Sequence, residues 1–317
     1  MSGSTTSVFS EPDDYQAALQ RDGGFELVVT GRGKFRAELT RIALHRMQLV
    51  AGVESLARLA YITTPTHLVR VALLMRRSGT LSWAGMALHP DEIVMHGADQ
   101  PMHDLTDGAC RWRTLRLPAS DLLKYGRALI GRTFEIPPGI SRWRPDRGSR
   151  RHLDRLYGDA IRMSRMQPRV FAEAEASRGL EQELIAALID CMRGETTTTP
   201  PAASLRHADI MARFEDVLRN HRCRPPALGE ICFALKVSDR TLRAGCKLHL
   251  GMGPHRYLHL RQMQSVRRAL RSADFAKARV AEIAERHGFN SPGRFAKSYR
   301  EQFGELPSAT KRRRTPR

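Results

Sequence analysis

Apolar positions change their period along this chain, and the change divides it. Between residues 25 and 117 they fall in short runs, FELVVT, KFRAELTRI, HRMQLVAG, HLVRVALLM, TLSWAGMAL, DEIVMHG and CRWRTLRL, broken by Gly, Pro, Asp or Thr. Short β-branched and aromatic runs of this kind predict antiparallel strands in a sandwich or small barrel. The first twenty residues are polar and predict a flexible start. After PASDLL, where Ser120 is a candidate N-cap, residues 122–129 read as helix. A Pro/Gly/Arg stretch, IPPGISRWRPDRGSR, precedes a helix over 151–166 and another beyond Pro168 that aligns Leu180, Leu184, Leu188 and Cys191. Residues 194–204, GETTTTPPAAS, predict a linker. Beyond it the period is helical. Ile210, Phe214, Val217 and Leu218 stripe a helix over 207–220, and others follow near 227–235, 239–249, 254–271, 278–286, 292–302 and past Pro307.

The expected architecture is therefore α+β. A flexible N-terminus (1–20) leads into a β-rich domain (21–145) with trailing helices (150–193). The linker (194–204) then joins these to an all-α domain (205–310), and a basic tail (311–317) ends the chain.

The all-α part repeats itself. Ile231-Cys232 matches Ile283-Ala284 and Val237 matches Phe289, at an offset of 52. Past the turn the offset becomes 53: Leu242 and Phe295, Cys246 and Tyr299, Gly251 and Gly304, Pro254 and Pro307. The slip falls in the turn, where an insertion is cheap. Each copy has a small or apolar residue where two helices cross and an apolar residue to pin the turn. Its second helix buries every third or fourth position, which is the pattern of a helix-turn-helix. Ser238 and Ser291 can each cap that second helix, and Pro292 suits its first position.

Charge sharpens this division. The 317 residues carry a formal net charge of +19. Residues 205–317 hold 25 Lys+Arg against 10 Asp+Glu, a net of +15, leaving +4 for the rest. A basic third joined to a nearly balanced remainder predicts a module for a polyanion. Cys110, Cys191, Cys223, Cys232 and Cys246 lack metal-site or C-x-x-C spacing and read as free thiols of a reducing compartment. MSGSTTSVFSEPDD lacks the apolar core of a signal peptide and no run matches a membrane span, so a cytoplasmic protein is expected. His45, His67, His89, His96 and His103 do not follow a metal-cupin spacing, so neither a metal nor a cofactor is expected. Trp83, Trp112 and Trp143 read as core or pocket walls.

LGEICFALKVSDRTLRAGCKLHLGMGPHRYLHLRQMQSVRRAL, followed by VAEIAERHGFNSPGRFAKSYREQFGELPSAT, resembles the DNA-binding region of AraC/XylS-type regulators. Gly251-Met252, Pro254, Tyr257-Leu258, Gly288-Phe289, Phe295, Phe303-Gly304 and Pro307-Ser308 carry the likeness, with Cys232, Cys246 and Tyr299 as departures. The resemblance implies two units entering successive major grooves of double-stranded DNA. It also implies a cupin-like front domain for effector sensing or dimerisation; the 180–191 stripe fits a dimer seam, the reading favoured because it precedes the linker, and equally fits burial against the barrel. A small-molecule effector, a homodimer and, for an activator, RNA polymerase would be the other partners.

In the first unit Arg240 and Arg243 are the expected base readers and Lys247 a phosphate contact, flanked by Ser238 and Ala244. In the second, Arg294 and Lys297 read, Arg300 lies beside them, and Asn290 and Ser291 hold phosphates. Two other readings remain open. One is a barrel enzyme with a DNA-binding appendage, which needs a reactive Cys110 or Cys191. The other is a non-specific nucleic-acid binder.

Overall fold

The computed structural model describes residues 3–313 apart from 22, 66, 76–79, 98–100, 132–133, 137–138, 198–201, 222–223 and 273–277. The front part runs β1 (Gly3–Phe9), α1 (Pro12–Gln20), β2 (Gly24–Val29), β3 (Ala37–Ala43), β4 (Gln48–Glu54), β5 (Arg58–Thr63) and β6 (Leu68–Leu74). It continues with β7 (Leu81–Trp83), β8 (Met86–Ala87), β9 (Ile93–His96), β10 (Met102–Thr106), β11 (Cys110–Pro118), α2 (Ala119–Leu129) and β12 (Ile140–Arg144). Then come α3 (Arg147–Met166), α4 (Ala174–Met192) and β13 (Glu195–Thr197). The C-terminal part is helical: α5 (Ala202–Asn220), α6 (Leu228–Leu235), α7 (Asp239–Leu250), α8 (Pro254–Arg271), α9 (Val280–Arg286), α10 (Pro292–Phe303) and α11 (Pro307–Arg312).

Strand alternation builds the layers. Among the described residues, one antiparallel sheet has the order β1-β3-β4-β11-β6-β9-β12-β13 and a second the order β2-β5-β10-β7-β8. Successive side chains point to opposite faces. In the larger sheet Ala72, Val94 and Trp112 face the smaller sheet, while Val71, Leu73, Ile93, Met95 and Leu115 face α2, α3 and α4. The smaller sheet turns Leu27, Val29, Ala60 and Ile62 inward and Val28 and Leu59 outward, into the core of the C-terminal helices. The order of layers is helices, sheet, sheet, helices. Both faces of both sheets are used.

Four expectations change. Residues 3–20 are not a loose start: β1 pairs with β3 along its length, and α1 opens at Pro12 and buries Tyr15 and Leu19. The Tyr15 hydroxyl donates to Glu54 Oε1 at 2.8 Å. The 194–204 linker is partly ordered, because Glu195–Thr197 completes the ladder on the edge of β12 and helix resumes at Ala202. Ser120 is not a cap, since helix α2 starts after Pro118 without a side-chain cap.

The fourth concerns the stripe read as a dimer seam. Leu184, Leu188 and Cys191 are fully buried against the larger sheet and α3, with Leu180 at the margin. The sandwich consumes the apolar face that dimerisation would have needed. At the other end of the chain Lys311 and Arg312 close α11, so the tail begins as helix; residues 314–317 lie outside the described set.

Leu188→Ala should cost about 2–5 kcal/mol, as for a large-to-small change in a core. Chemical denaturation should show that loss, while sedimentation at fixed concentration shows the oligomeric state unchanged. A shift in oligomeric state without lost stability would restore the seam.

Candidate nucleic-acid interface

The two repeats fold as two similar helical hairpins. In the first, α6 and α7 are joined by a turn in which Lys236 N–H donates to Phe233 O at 3.1 Å and Val237 N–H to Cys232 O at 3.1 Å. In the second, Gly288 N–H donates to Glu285 O at 2.8 Å and Phe289 N–H to Ala284 O at 3.0 Å, the same two bonds displaced by 52. Both turns need a left-handed residue, and the second supplies Gly288 (φ +88°) while the first uses Lys236 (φ +54°). The offset slips to 53 because Asn290 adds one residue before α10. Helices α7 and α10 both end on a left-handed glycine, Gly251 and Gly304, and the next helix of each begins with Pro.

Each hairpin closes its own core around α8. Tyr257, Leu258 and Leu260 from the first half of α8 pack with Ile231, Leu235, Leu242 and Cys246. Met263, Val266, Ala269 and Leu270 from its second half pack with Ile283, Ala284, Phe295, Tyr299 and Phe303. One buried helix therefore sets the spacing and angle of both hairpins.

The outward faces are basic. On α7, Arg240, Arg243, Ala244 and Lys247 are exposed at positions 0, 3, 4 and 7 of one helical face. Ser238 caps α7, its hydroxyl accepting from Thr241 N–H at 3.1 Å. Arg243 is not solvated alone, because its Nε donates to Asp239 Oδ2 at 2.7 Å. On α10, Arg294, Lys297 and Arg300 are exposed, with Asn290 exposed and Ser291 half-buried ahead of them. Ser291 sits at the N-cap position but makes no capping hydrogen bond; Pro292 at the first position needs none.

The front domain grips this module through charge. Glu215 of α5 is fully buried and takes a hydrogen bond from the Tyr257 hydroxyl at 2.5 Å and pairs with His103 Nε2 of β10 at 3.0 Å. Arg261 binds the same carboxylate and reaches on to Glu26 of β2 at 2.9 Å. Burial alone would raise the Glu215 carboxyl; Arg261, the His103 contact and the Tyr257 hydroxyl outweigh it and hold it down at about 2. Further along α8, Arg267 pairs with Glu11 at 2.7 Å, Arg268 with Asp13 at 3.1 Å and Arg271 with Asp14 at 3.0 Å. Gln302 Nε2 donates to the carbonyl of Gly31 at 2.7 Å.

Sequence reasoning missed this grip. Glu215 does stand within the apolar stripe of its helix, between Phe214 and Leu218, and a carboxylate there needs a buried partner. That signal was readable; the partner was not, because the MHDLT run of β10 is too short and polar to mark a strand. Of the other candidates, Trp83 and Trp112 lie between the sheets and Trp143 on the helical side. Burial pushes the thiols of Cys110 and Cys191 up to about 12, away from the reactive thiolate form. Cys223 lies outside the described residues. Among the described residues no three His, Cys, Asp or Glu side chains are grouped to hold a metal, and no helix is long and apolar enough to cross a membrane.

Two hairpins sharing one buried strut, with basic second helices turned outward, define a double helix-turn-helix domain. Residues 231–313 match the family model described as a helix-turn-helix domain. The C-terminal region is an AraC/XylS-type DNA-binding domain. It is 40% identical over 93 residues to a probable thc operon regulatory protein of Rhodococcus erythropolis, covering 29% of this chain and 28% of that protein. It is also 40% identical over 78 residues to XylDLEGF operon transcriptional activator 1 of Pseudomonas putida, covering 25% and 24%. The chain thus matches only about a quarter of the length of these relatives. Among solved structures, the AraC-like transcriptional activator CuxR is similar at 15% identity and a TM-score of 0.44, covering 89% of this chain and 98% of that one. ToxT from Vibrio cholerae O395 is similar at 10% identity and a TM-score of 0.29, covering 90% and 96%.

Glu215 has a low folded pKa, so it contributes stability above its unfolded value near 4.5 that is lost as pH falls toward 2. Glu215→Gln should cost roughly 3 kcal/mol at pH 7, by leaving His103 and Arg261 unmatched in a buried site. The variant's melting temperature should also fall less steeply than the parent's between pH 5 and 3. Parallel melting curves across that range would rule out this role for the carboxylate.

Lys236→Gly should raise stability by about 0.5–1 kcal/mol, since a left-handed residue with a Cβ is strained and its counterpart is already glycine. Urea denaturation of the two proteins checks the sign.

Proposed function

We propose that the chain is a sequence-specific DNA-binding transcription regulator. The carrying observation is that α7 and α10, both basic and outward-facing, are fixed to one buried helix, α8. Recognition helices held in this way enter adjacent major grooves of one duplex, about one helical turn (~34 Å) apart. Arg240 and Arg243 bind guanine edges in the first half-site, Lys247 meets a phosphate, and Ser238 and Ala244 line the contact. In the second, Arg294 and Lys297 read while Asn290, Ser291 and Arg300 hold the backbone. Pro292, Gly293 and Ala296 offer few hydrogen bonds to bases, so this half-site is read less sharply.

The front sandwich, packed on the DNA-binding module through Glu215 and α8, is suited to report an effector to it. The relatives named as operon regulators and activators support this reading. A cytoplasmic homodimer that engages RNA polymerase is the form in which such a regulator would work. A non-specific binder would share the charge but not two matched readers.

Purified full-length protein should protect about 20 base pairs of a selected duplex, with two patches of base preference. Arg240→Ala should cost about 1–3 kcal/mol and relax one base position in the first half-site. Lys247→Ala should weaken all sequences alike and lower the salt slope by about one. Protection no wider than a single groove, or no preferred sequence, would defeat the proposal.

A further inference from the structure

An acidic residue on the face that meets a polyanion calls for a reason. Asp239 is that residue: it is exposed in the first turn of α7, one position from Arg240, in a chain of net charge +19. Its Oδ2 accepts from Arg243 Nε at 2.7 Å, with acid and base four apart on the helix and both side chains half-exposed. Arginine presents five donors in a planar fork. With Nε engaged, the two Nη groups still point away along the opposite edge of the plane, which is the geometry that matches guanine O6 and N7. Without a partner, Arg243 keeps the rotamer freedom of a long side chain and meets a phosphate as readily as a base.

We propose that Asp239 is a specificity-determining residue of the first reader, positioning Arg243 for end-on recognition of a guanine and withholding it from the phosphate backbone. This inference rests on the DNA-binding reading above and deepens it. The second reader supplies an internal contrast. At the offset of 53, Asp239 and Arg243 correspond to Pro292 and Ala296, so the pair exists in one unit and not in the other. The first reader owes a guanine preference to this pair that the second has no means to copy.

An acid that only stabilises the start of a helix would leave base preference unmoved when removed. The test therefore reads discrimination and bulk affinity separately. The full-length parent, Asp239→Ala, Asp239→Asn and Arg243→Ala are each used to select from a pool of random duplexes, and affinity for unselected random duplex is measured alongside. The parent should enrich a motif with a fixed guanine that Arg243→Ala loses. Asp239→Ala should lower the preference for that guanine by about tenfold or more, while its affinity for random duplex holds or rises as a negative charge leaves the interface. Asp239→Asn keeps an acceptor oxygen and should fall between. An Asp239→Ala motif with the same guanine at the same strength overturns the assignment, as does a loss of preference matched by an equal loss on random duplex. A parent that enriches no motif overturns the regulator reading itself, and this inference with it.

Discussion

The contact between Glu215, Arg261, His103 and Tyr257 joins three parts that would otherwise be independent. Glu215 lies on the first C-terminal helix, Tyr257 and Arg261 on the strut between the two readers, and His103 on a strand of the smaller sheet. A buried carboxylate is costly unless several donors converge on it, and here they come from both sides of the domain boundary. Tyr257 and Arg261 come from the helical module and His103 from the sandwich, so the full set of partners that offsets the burial of Glu215 is assembled only when the two are together. Separating them exposes more than a salt bridge, because Val28 and Leu59 of the sheet belong to the same apolar core as Phe214, Leu218 and Leu250. The first reader is completed by the domain in front of it.

The second reader is held differently. Its core closes on itself through Phe295, Tyr299, Phe303 and the end of α8. The front domain reaches it through Gln302, itself buried, which donates to the carbonyls of Val29 and Gly31, and through the ion pairs of Arg267, Arg268 and Arg271 with Glu11, Asp13 and Asp14. Arg267–Glu11 is largely buried, while Arg268–Asp13 and Arg271–Asp14 each keep one exposed partner and are more open to screening by salt. The two readers are thus unequally anchored. The first shares an apolar core with the smaller sheet, whereas the second meets the front domain through polar contacts.

How much of this was legible depended on whether a signal repeats. The two hairpins were readable because each landmark occurs twice, and even the slip from 52 to 53 falls at Asn290, in the turn. Longer β-rich runs such as HLVRVALLM and CRWRTLRL mark their strands; RLAYIT, MHDLT and ISRWR, which form β5, β10 and β12, are short or sit among turn residues and carry too little signal. The Leu184–Leu188–Cys191 stripe showed that α4 had an apolar face but not what covered it. A helical stripe records burial, and burial against one's own sheet looks the same as burial against a second copy. Residues 3–20 look polar because β1 is an edge strand with one side in water, and α1 needs only Tyr15 and Leu19 to dock. Pairings between distant segments, such as Glu11 with Arg267, leave no local trace.

The charge balance reads differently once these pairings are placed. A net of +15 over residues 205–317 overstates what faces a polyanion, since Arg261, Arg267, Arg268 and Arg271 are matched by Glu26, Glu11, Asp13 and Asp14 of the front domain. The acidic start of the chain and the basic strut neutralise each other inside the molecule. The positive charge left outward on the readers is concentrated at Arg240, Arg243, Lys247, Arg294, Lys297 and Arg300, two clusters fixed by α8. A surface charged everywhere would hold any duplex in any register. On a face that met a duplex, the tie of Arg243 to Asp239 would hold that cation in place rather than leave it free to meet any phosphate.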